Sequence, residues 1–199
     1  MGNIMEVSEL VGSIRNFYQE KNKLKTLRHV EEVAETAVWL AGKNNMDSER
    51  VRIAALLHDI SVIMTPQEMY EAIKERNMPI DPAEEKYHFL LHQRVSKLIA
   101  KEQLGIHDEA ILSAVECHTT LKKDAGVFDK IIFIADKISW DQEGTPLYYE
   151  MLKELAWESL DDACFYYINY QFENRLLLMP HRWIEEAYED LKVKLKMGI

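Results

Sequence analysis

The sequence predicts an all-α protein on three observations. Only 7 Gly and 5 Pro punctuate 199 residues, which favours long helices over many short strands. Apolar residues recur at intervals of three and four, the period of a helix with one buried face. A hydrophobic fraction of 47% belongs to a chain with a core to bury and is too high for a disordered one. The length suffices for one substantial core, and no repeat, low-complexity segment or flexible linker interrupts it. A helical bundle in a single domain over 1–199 is expected, with C-terminal helices over about 145–197.

Over 26–41, Val30, Val33, Ala34, Ala37, Val38 and Ala41 keep helical spacing. Asn44, Asn45 and Asp47 break it, and Asp47 or Ser48 can cap a second helix running to about His58. Thr65-Pro66 has the form of an N-cap followed by a first-turn proline, opening a third helix that fades at Asn77. Pro79 and Pro82 mark a loop. A long helix is predicted over about 83–103, stopped near Gly105, and another over about 108–118. The isoleucine-rich stretch 128–138 has a strand-like composition. Its Phe128, Ile131, Ile132, Ala135 and Ile138 nevertheless fall at helical intervals, so a buried helix is predicted. After Gly144-Thr145-Pro146, two or three amphipathic helices complete the chain, with a break at Met179-Pro180.

Charge and composition exclude several classes. With 24 Lys and Arg against 34 Asp and Glu, the formal charge is −10, so a nucleic-acid backbone is not an expected partner. An acidic protein that binds phosphate needs a metal or a local basic cluster. No apolar stretch approaches the ~20 residues of a membrane span. The first twenty residues lack the basic and apolar regions of a signal peptide, and Glu6 stands where a myristoylation signal beginning at Gly2 wants Ser or Thr. Two cysteines, Cys117 and Cys164, make no disulfide framework. A cytoplasmic protein is expected, with a small-molecule partner and a homodimer left open.

The sharpest local feature is Ala54-Ala55-Leu56-Leu57-His58-Asp59, an apolar helix ending in two groups that are costly to bury without partners. His29 shares a face with Val33, Ala37 and Leu40, His92 with Val95 and Ile99, and His118 with Ile111 and Val115. Asp136 directly follows Ile131-Ile132-Phe133-Ile134-Ala135. One histidine on an apolar face is usually a hydrogen-bonded core residue. Four on separate helices, with two aspartates similarly embedded, are hard to satisfy except around shared cations.

His29, then Leu57-His58-Asp59, then Asp136 in Phe133-Ile134-Ala135-Asp136 resembles the H…HD…D signature of the HD superfamily. Leu90-Leu91-His92, Cys117-His118-Thr119-Thr120 and the run from Asp129 to Asp136 narrow the resemblance to the YqeK-type HD proteins. These are bacterial hydrolases that cut diadenosine tetraphosphate symmetrically into two ADP. The resemblance implies an HD-domain helical bundle with a metal-binding core over about 26–140 and a metal held by His29, His58, Asp59 and Asp136. It implies a nucleotide or dinucleoside polyphosphate substrate; another phosphate ester, such as a nucleoside monophosphate, and a regulatory nucleotide-binding module are the alternatives.

Imidazoles with two aspartates suit a transition metal, with iron the first expectation and Mn, Co or Zn the alternatives. Such a cation lowers the pKa of bound water and offsets charge as a P–O bond breaks. Asp59, His92 and His118 are the expected catalytic groups, Asp59 bridging to a second metal or orienting the attacking water. His92 and His118 either ligate that second metal or, as the resemblance favours, contact phosphate beside Thr119. Arg28 and Lys122 are expected substrate contacts, with Lys123 and Lys137 also nearby in sequence. His88, His107 and His181 are expected to be exposed or structural, and Cys117 a packing residue.

Three positions depart from the family pattern. Thr26 and Gln142 stand where the family usually has arginine, and Val62 where it usually has lysine. Leu121 replaces the usual glycine after His-Thr-Thr, and Pro180-His181-Arg182-Trp183 occupies the place of a nucleotide-contacting stretch. A full metal set with fewer cations implies a weakened grip on polyphosphate.

Overall fold

The computed structural model describes residues 7–140 and 142–197, so the Gly2–Glu6 motif lies outside the described residues. Among these there are eleven α-helices, two 3-10 turns and no strand. Helix α1 (Val7–Glu20) was not predicted. It buries Ile14 and Tyr18, and the Tyr18 hydroxyl donates to the Leu56 carbonyl at 3.1 Å.

Helix α2 (Leu24–Lys43) buries the expected stripe of Val30, Val33, Ala34, Ala37 and Ala41 and adds Leu27 and Leu40. Helix α3 (Ser48–Leu57) is capped by Asp47, whose carboxylate accepts from the Glu49 and Arg50 amides, satisfying donors that the first helical turn leaves unpaired. A 3-10 turn at Ile60–Ile63 follows. Helix α4 (Pro66–Glu75) begins with a capping box between Thr65 and Glu68.

The long helix expected over 83–103 is corrected to three pieces: α5 (Pro82–Lys86), a 3-10 turn at His88–Leu91 and α6 (His92–Glu102). Tyr87 leaves helical geometry at φ −127, ψ 79. The break frees the Phe89 carbonyl to accept from His92 Nδ1 at 2.7 Å. Gly105 takes φ +66 beyond α6, a conformation glycine adopts without steric cost.

Helix α7 (Glu109–Cys117) is capped by Asp108. Helix α8 (Val127–Ile138) is the predicted isoleucine-rich helix, buried at Phe128 and at every position from Ile131 to Ala135. Helices α9 (Tyr149–Glu158), α10 (Leu160–Glu173) and α11 (Arg182–Met197) form the tail. Pro180 lies in the gap before α11, as the sequence indicates.

Helices α2, α3, α7 and α8 pack on one another, with α6 beside α7, and α9 and α10 against α8. Their buried apolar residues form one cluster that runs from Ile14 to Leu191. This packing carries the histidine-bearing ends of α3, α6 and α7 and the last turn of α8 to one face of α2.

Candidate metal centre

Six side chains meet there. His29 Nε2 lies 3.1 Å from Asp136 Oδ1, and His58 Nε2 lies 3.7 Å from both Asp136 Oδ1 and Asp59 Oδ2. On the other side of Asp59, His118 Nε2 is 3.5 Å and His92 Nε2 is 3.6 Å from its Oδ1. His58 and His118 sit at the C-termini of α3 and α7, where the partial negative charge of the helix end favours a cation.

Three of the histidines are held alike. His58 Nδ1 meets the Ala55 carbonyl at 2.7 Å, His92 Nδ1 that of Phe89 at 2.7 Å, and His118 Nδ1 that of Val115 at 2.9 Å. A carbonyl only accepts, so each Nδ1 carries the proton and each Nε2 turns a lone pair inward. Such a bond from the remote nitrogen to a carbonyl is the usual support of a metal-ligating imidazole. The two lone pairs of His92 and His118 face each other at 3.0 Å, an arrangement that calls for a proton or a cation between or beside them. His58 Nε2 is buried with no hydrogen-bond partner. An orphan of that kind costs about 1–3 kcal/mol unless something else binds it.

The residues therefore fit a metal. His29, His58 and Asp136 place one donor atom each within 4.8 Å of one another, and so do His58, Asp59 and His118. Without a metal, a proton takes its place on His58 Nε2. Burial lowers the His58 pKa, but the Asp59 and Asp136 carboxylates and the Ala55 bond outweigh it and carry the group up to about 9. Burial holds His118 down at about 4 despite the pull of Asp59. Asp59 and Asp136 stay ionised far below the usual carboxylate range; burial opposes this, and His58 beside the first and Lys137 with His29 and His58 beside the second overcome it.

The other expected residues separate. Thr119 is at the centre, its hydroxyl 3.0 Å from His92 Nε2. Arg28 is exposed on α2 and lines a cleft of about 410 Å³ with His29. Lys122 is held by other partners: its ammonium is bound to Ser113 Oγ at 2.5 Å and lies 3.9 Å from Asp129. Leu121, with φ +55, turns the chain there, which sequence proximity to His118 cannot reveal. Lys137 is the cation that does arrive, paired with Asp136 and 3.4 Å from the His118 carbonyl.

The remaining histidines are structural or exposed. His107 is exposed, His88 stacks on Tyr70 at 4.1 Å, and His181 is buried against Glu84. Cys117 is buried, and burial pushes its thiol far up, as a packing residue requires.

Comparison with known proteins decides the family. The HD domain model matches residues 26–141, the stretch that carries all six side chains. The chain belongs to the HD-domain family. Within this family it is 37% identical over 143 residues to the uncharacterized protein in pepC 5'region of Lactococcus lactis subsp. cremoris, covering 72% of this chain and 73% of that one. It is 33% identical over 120 residues to the symmetrical bis(5'-nucleosyl)-tetraphosphatase of Staphylococcus aureus, 60% of this chain and 61% of the relative. Among solved structures, a predicted HD superfamily hydrolase involved in NAD metabolism from Clostridium acetobutylicum superposes with a TM-score of 0.84 at 28% identity, over 92% of this chain and 97% of that one.

Proposed function

We propose that this HD-domain protein is a metal-dependent phosphohydrolase of the cytoplasm whose substrate is a dinucleoside polyphosphate, diadenosine tetraphosphate foremost, cut symmetrically to two ADP. One observation carries the reading: two adjoining clefts open beside the metal-ready cluster. His29, Asp136, Trp140 and Gln142 line one, a cavity of about 280 Å³. Leu90, Thr119, Thr120 and His181 line the other, of about 140 Å³. Lys137 and Tyr167 belong to both. A substrate cut at its middle needs room on both sides of the reacting phosphate.

The roles follow from position. His29, His58, Asp59 and Asp136 hold the metal, with iron the first expectation. When bound, the metal supplies Lewis acidity that lowers the pKa of a nucleophilic water and offsets charge on the phosphate. Asp59, within 3.7 Å of three imidazole nitrogens, orients the attacking water. The proton lost by that water is held between the facing Nε2 atoms of His92 and His118 and donated from there to the phosphate beside Thr119, and the Lys137 ammonium compensates for cations that Thr26, Val62 and Gln142 do not provide. A second metal at His92 and His118, with Asp59 bridging, is the rival arrangement, favoured by donor atoms within 3.6 Å of one another.

The test is a turnover screen of the metal-loaded protein against nucleotides of graded phosphate number. ADP as the sole nucleotide product of diadenosine tetraphosphate supports the proposal. Turnover of nucleoside monophosphates alone would replace it with the phosphomonoesterase reading.

A further inference from the structure

The four tryptophans divide sharply by surroundings. Trp39 and Trp157 stack on each other at 4.8 Å, and Lys43 lies over the Trp157 ring at the same distance. Trp183 meets His181 edge-on at 5.4 Å. Among the described residues, Trp140 has no aromatic or cationic partner for its ring, although 38% of the residue is exposed.

Its position is fixed all the same. The Ser139 amide donates to the Ala135 carbonyl at 2.9 Å, and the Ser139 hydroxyl is 2.9 Å from that of Thr36. These bonds pin the chain leaving α8 onto α2, so the indole is presented from an anchored backbone. It lines the cleft that holds His29 and Asp136 and also the adjoining cleft that holds Arg28, His29 and Glu32; Gln142 lines both.

A flat unpartnered indole beside a phosphate-directed centre matches the face of a nucleobase, which stacks on aromatic rings without regard to sequence. Arg28 supplies a cation at the same mouth, Glu32 a carboxylate able to accept from sugar hydroxyls, and Gln142 an amide that can both donate and accept along a base edge. We propose that Trp140 is the stacking platform for one purine of the substrate, with that nucleotide's phosphates directed past His29 toward Asp136. This assignment rests on the nucleotide-phosphohydrolase reading above. It makes the His29 flank a base-recognising arm, in which an aromatic contact replaces part of the grip lost with the cation at Gln142.

The experiment is equilibrium binding of ADP and of inorganic pyrophosphate to the metal-loaded protein, as wild type, Trp140→Ala and Trp140→Phe. Stacking contributions of the usual size predict about tenfold weaker ADP binding in Trp140→Ala. Pyrophosphate, which has no base, should shift less than about twofold, and Trp140→Phe should retain most of the ADP affinity because a ring face remains. Equal losses for both ligands would reassign Trp140 to packing, and unchanged ADP binding would overturn the platform outright. A wild type that hydrolyses diadenosine tetraphosphate with no ADP selectivity at Trp140 removes only this inference. A wild type that shows the selectivity without hydrolysing any nucleotide upholds the platform and removes the phosphohydrolase.

Discussion

Two buried clusters of this protein set histidine beside carboxylate, and they meet the cost of desolvation in opposite ways. In the first, His58, His92 and His118 give their Nδ1 protons to carbonyls of their own turns and aim bare Nε2 atoms inward. In the second, His181 Nδ1 accepts from the Trp183 amide at 3.0 Å. Its proton is therefore on Nε2, which points at Glu84 Oε1 3.5 Å away. The other Glu84 oxygen accepts from Arg94 at 2.7 Å, and Arg94 also donates to the Pro79 carbonyl. Burial works against the Glu84 charge, yet His181, the Asp81 amide and Arg94 keep its pKa below the ordinary value. The second cluster sets a proton against a carboxylate that Arg94 also pairs, although at 3.5 Å His181 Nε2 and Glu84 Oε1 complete no hydrogen bond, whereas the first leaves lone pairs and anions facing one another. The tautomer set by each histidine's backbone partner separates a ligand from a structural residue.

The largest effect should come from opening the first cluster. Asp136→Ala should lower turnover about a thousandfold or more, since the Lewis acidity it helps to hold is worth several kcal/mol at the transition state. Activity within tenfold of wild type would remove Asp136 from the centre. His92→Ala should retain the metal on His29, His58, Asp59 and Asp136 while cutting kcat/KM about 10- to 100-fold, the worth of a lost hydrogen bond to the reacting group. If metal analysis shows the loss of one of two ions, the second-metal arrangement takes its place.

Breaking the second cluster should leave chemistry alone and damage the fold. Arg94→Ala strands the fully buried Glu84 and should cost about 3–5 kcal/mol in denaturant unfolding, with metal content unchanged. A variant as stable as wild type would show that the pair is not what holds α5 to α6.

The two clusters also differ in pH response. In the metal-free first cluster, His58 stands at about 9 against about 6.5 for an ordinary histidine. A raised value means that its stabilising contribution is whole below about pH 6.5 and is lost as pH rises through about 9. Chelator-treated protein should therefore lose thermal stability between about pH 7 and about pH 9, while metal-loaded protein, which requires neutral His58, should not. Parallel pH curves for the two forms would contradict the role given to His58. The smallest effect concerns Gln142, exposed at the mouth of both clefts on the His29 flank. Gln142→Arg should lower KM for diadenosine tetraphosphate about two- to fivefold with kcat unchanged, a modest gain because the position is solvated. An unchanged KM would mean that Lys137 and Arg28 already meet the phosphates.

The elements legible in the sequence were those with local signals. Asp47 and Thr65-Pro66 announced helix starts, the apolar spacing announced α2, and that of α8 survived an isoleucine-rich composition that favours strands. The centre was legible because histidines on apolar faces need partners. Three features were not. Helix α1 carried no start signal among its acids, and its burial depends on Tyr18 reaching α3. The break before His92 keeps apolar spacing through the 3-10 turn, so periodicity alone merges α5 with α6. Lys122 is directed by the left-handed Leu121, a tertiary constraint that no count of charges shows. Trp140 could have been noticed as an aromatic residue four positions beyond Asp136.

The most direct test is metal analysis of protein purified without added metal, as wild type and His58→Ala. The account predicts a stoichiometric transition metal in the first and almost none in the second. Equal occupancy in both, or a wild type that binds no transition metal on reconstitution, would contradict it.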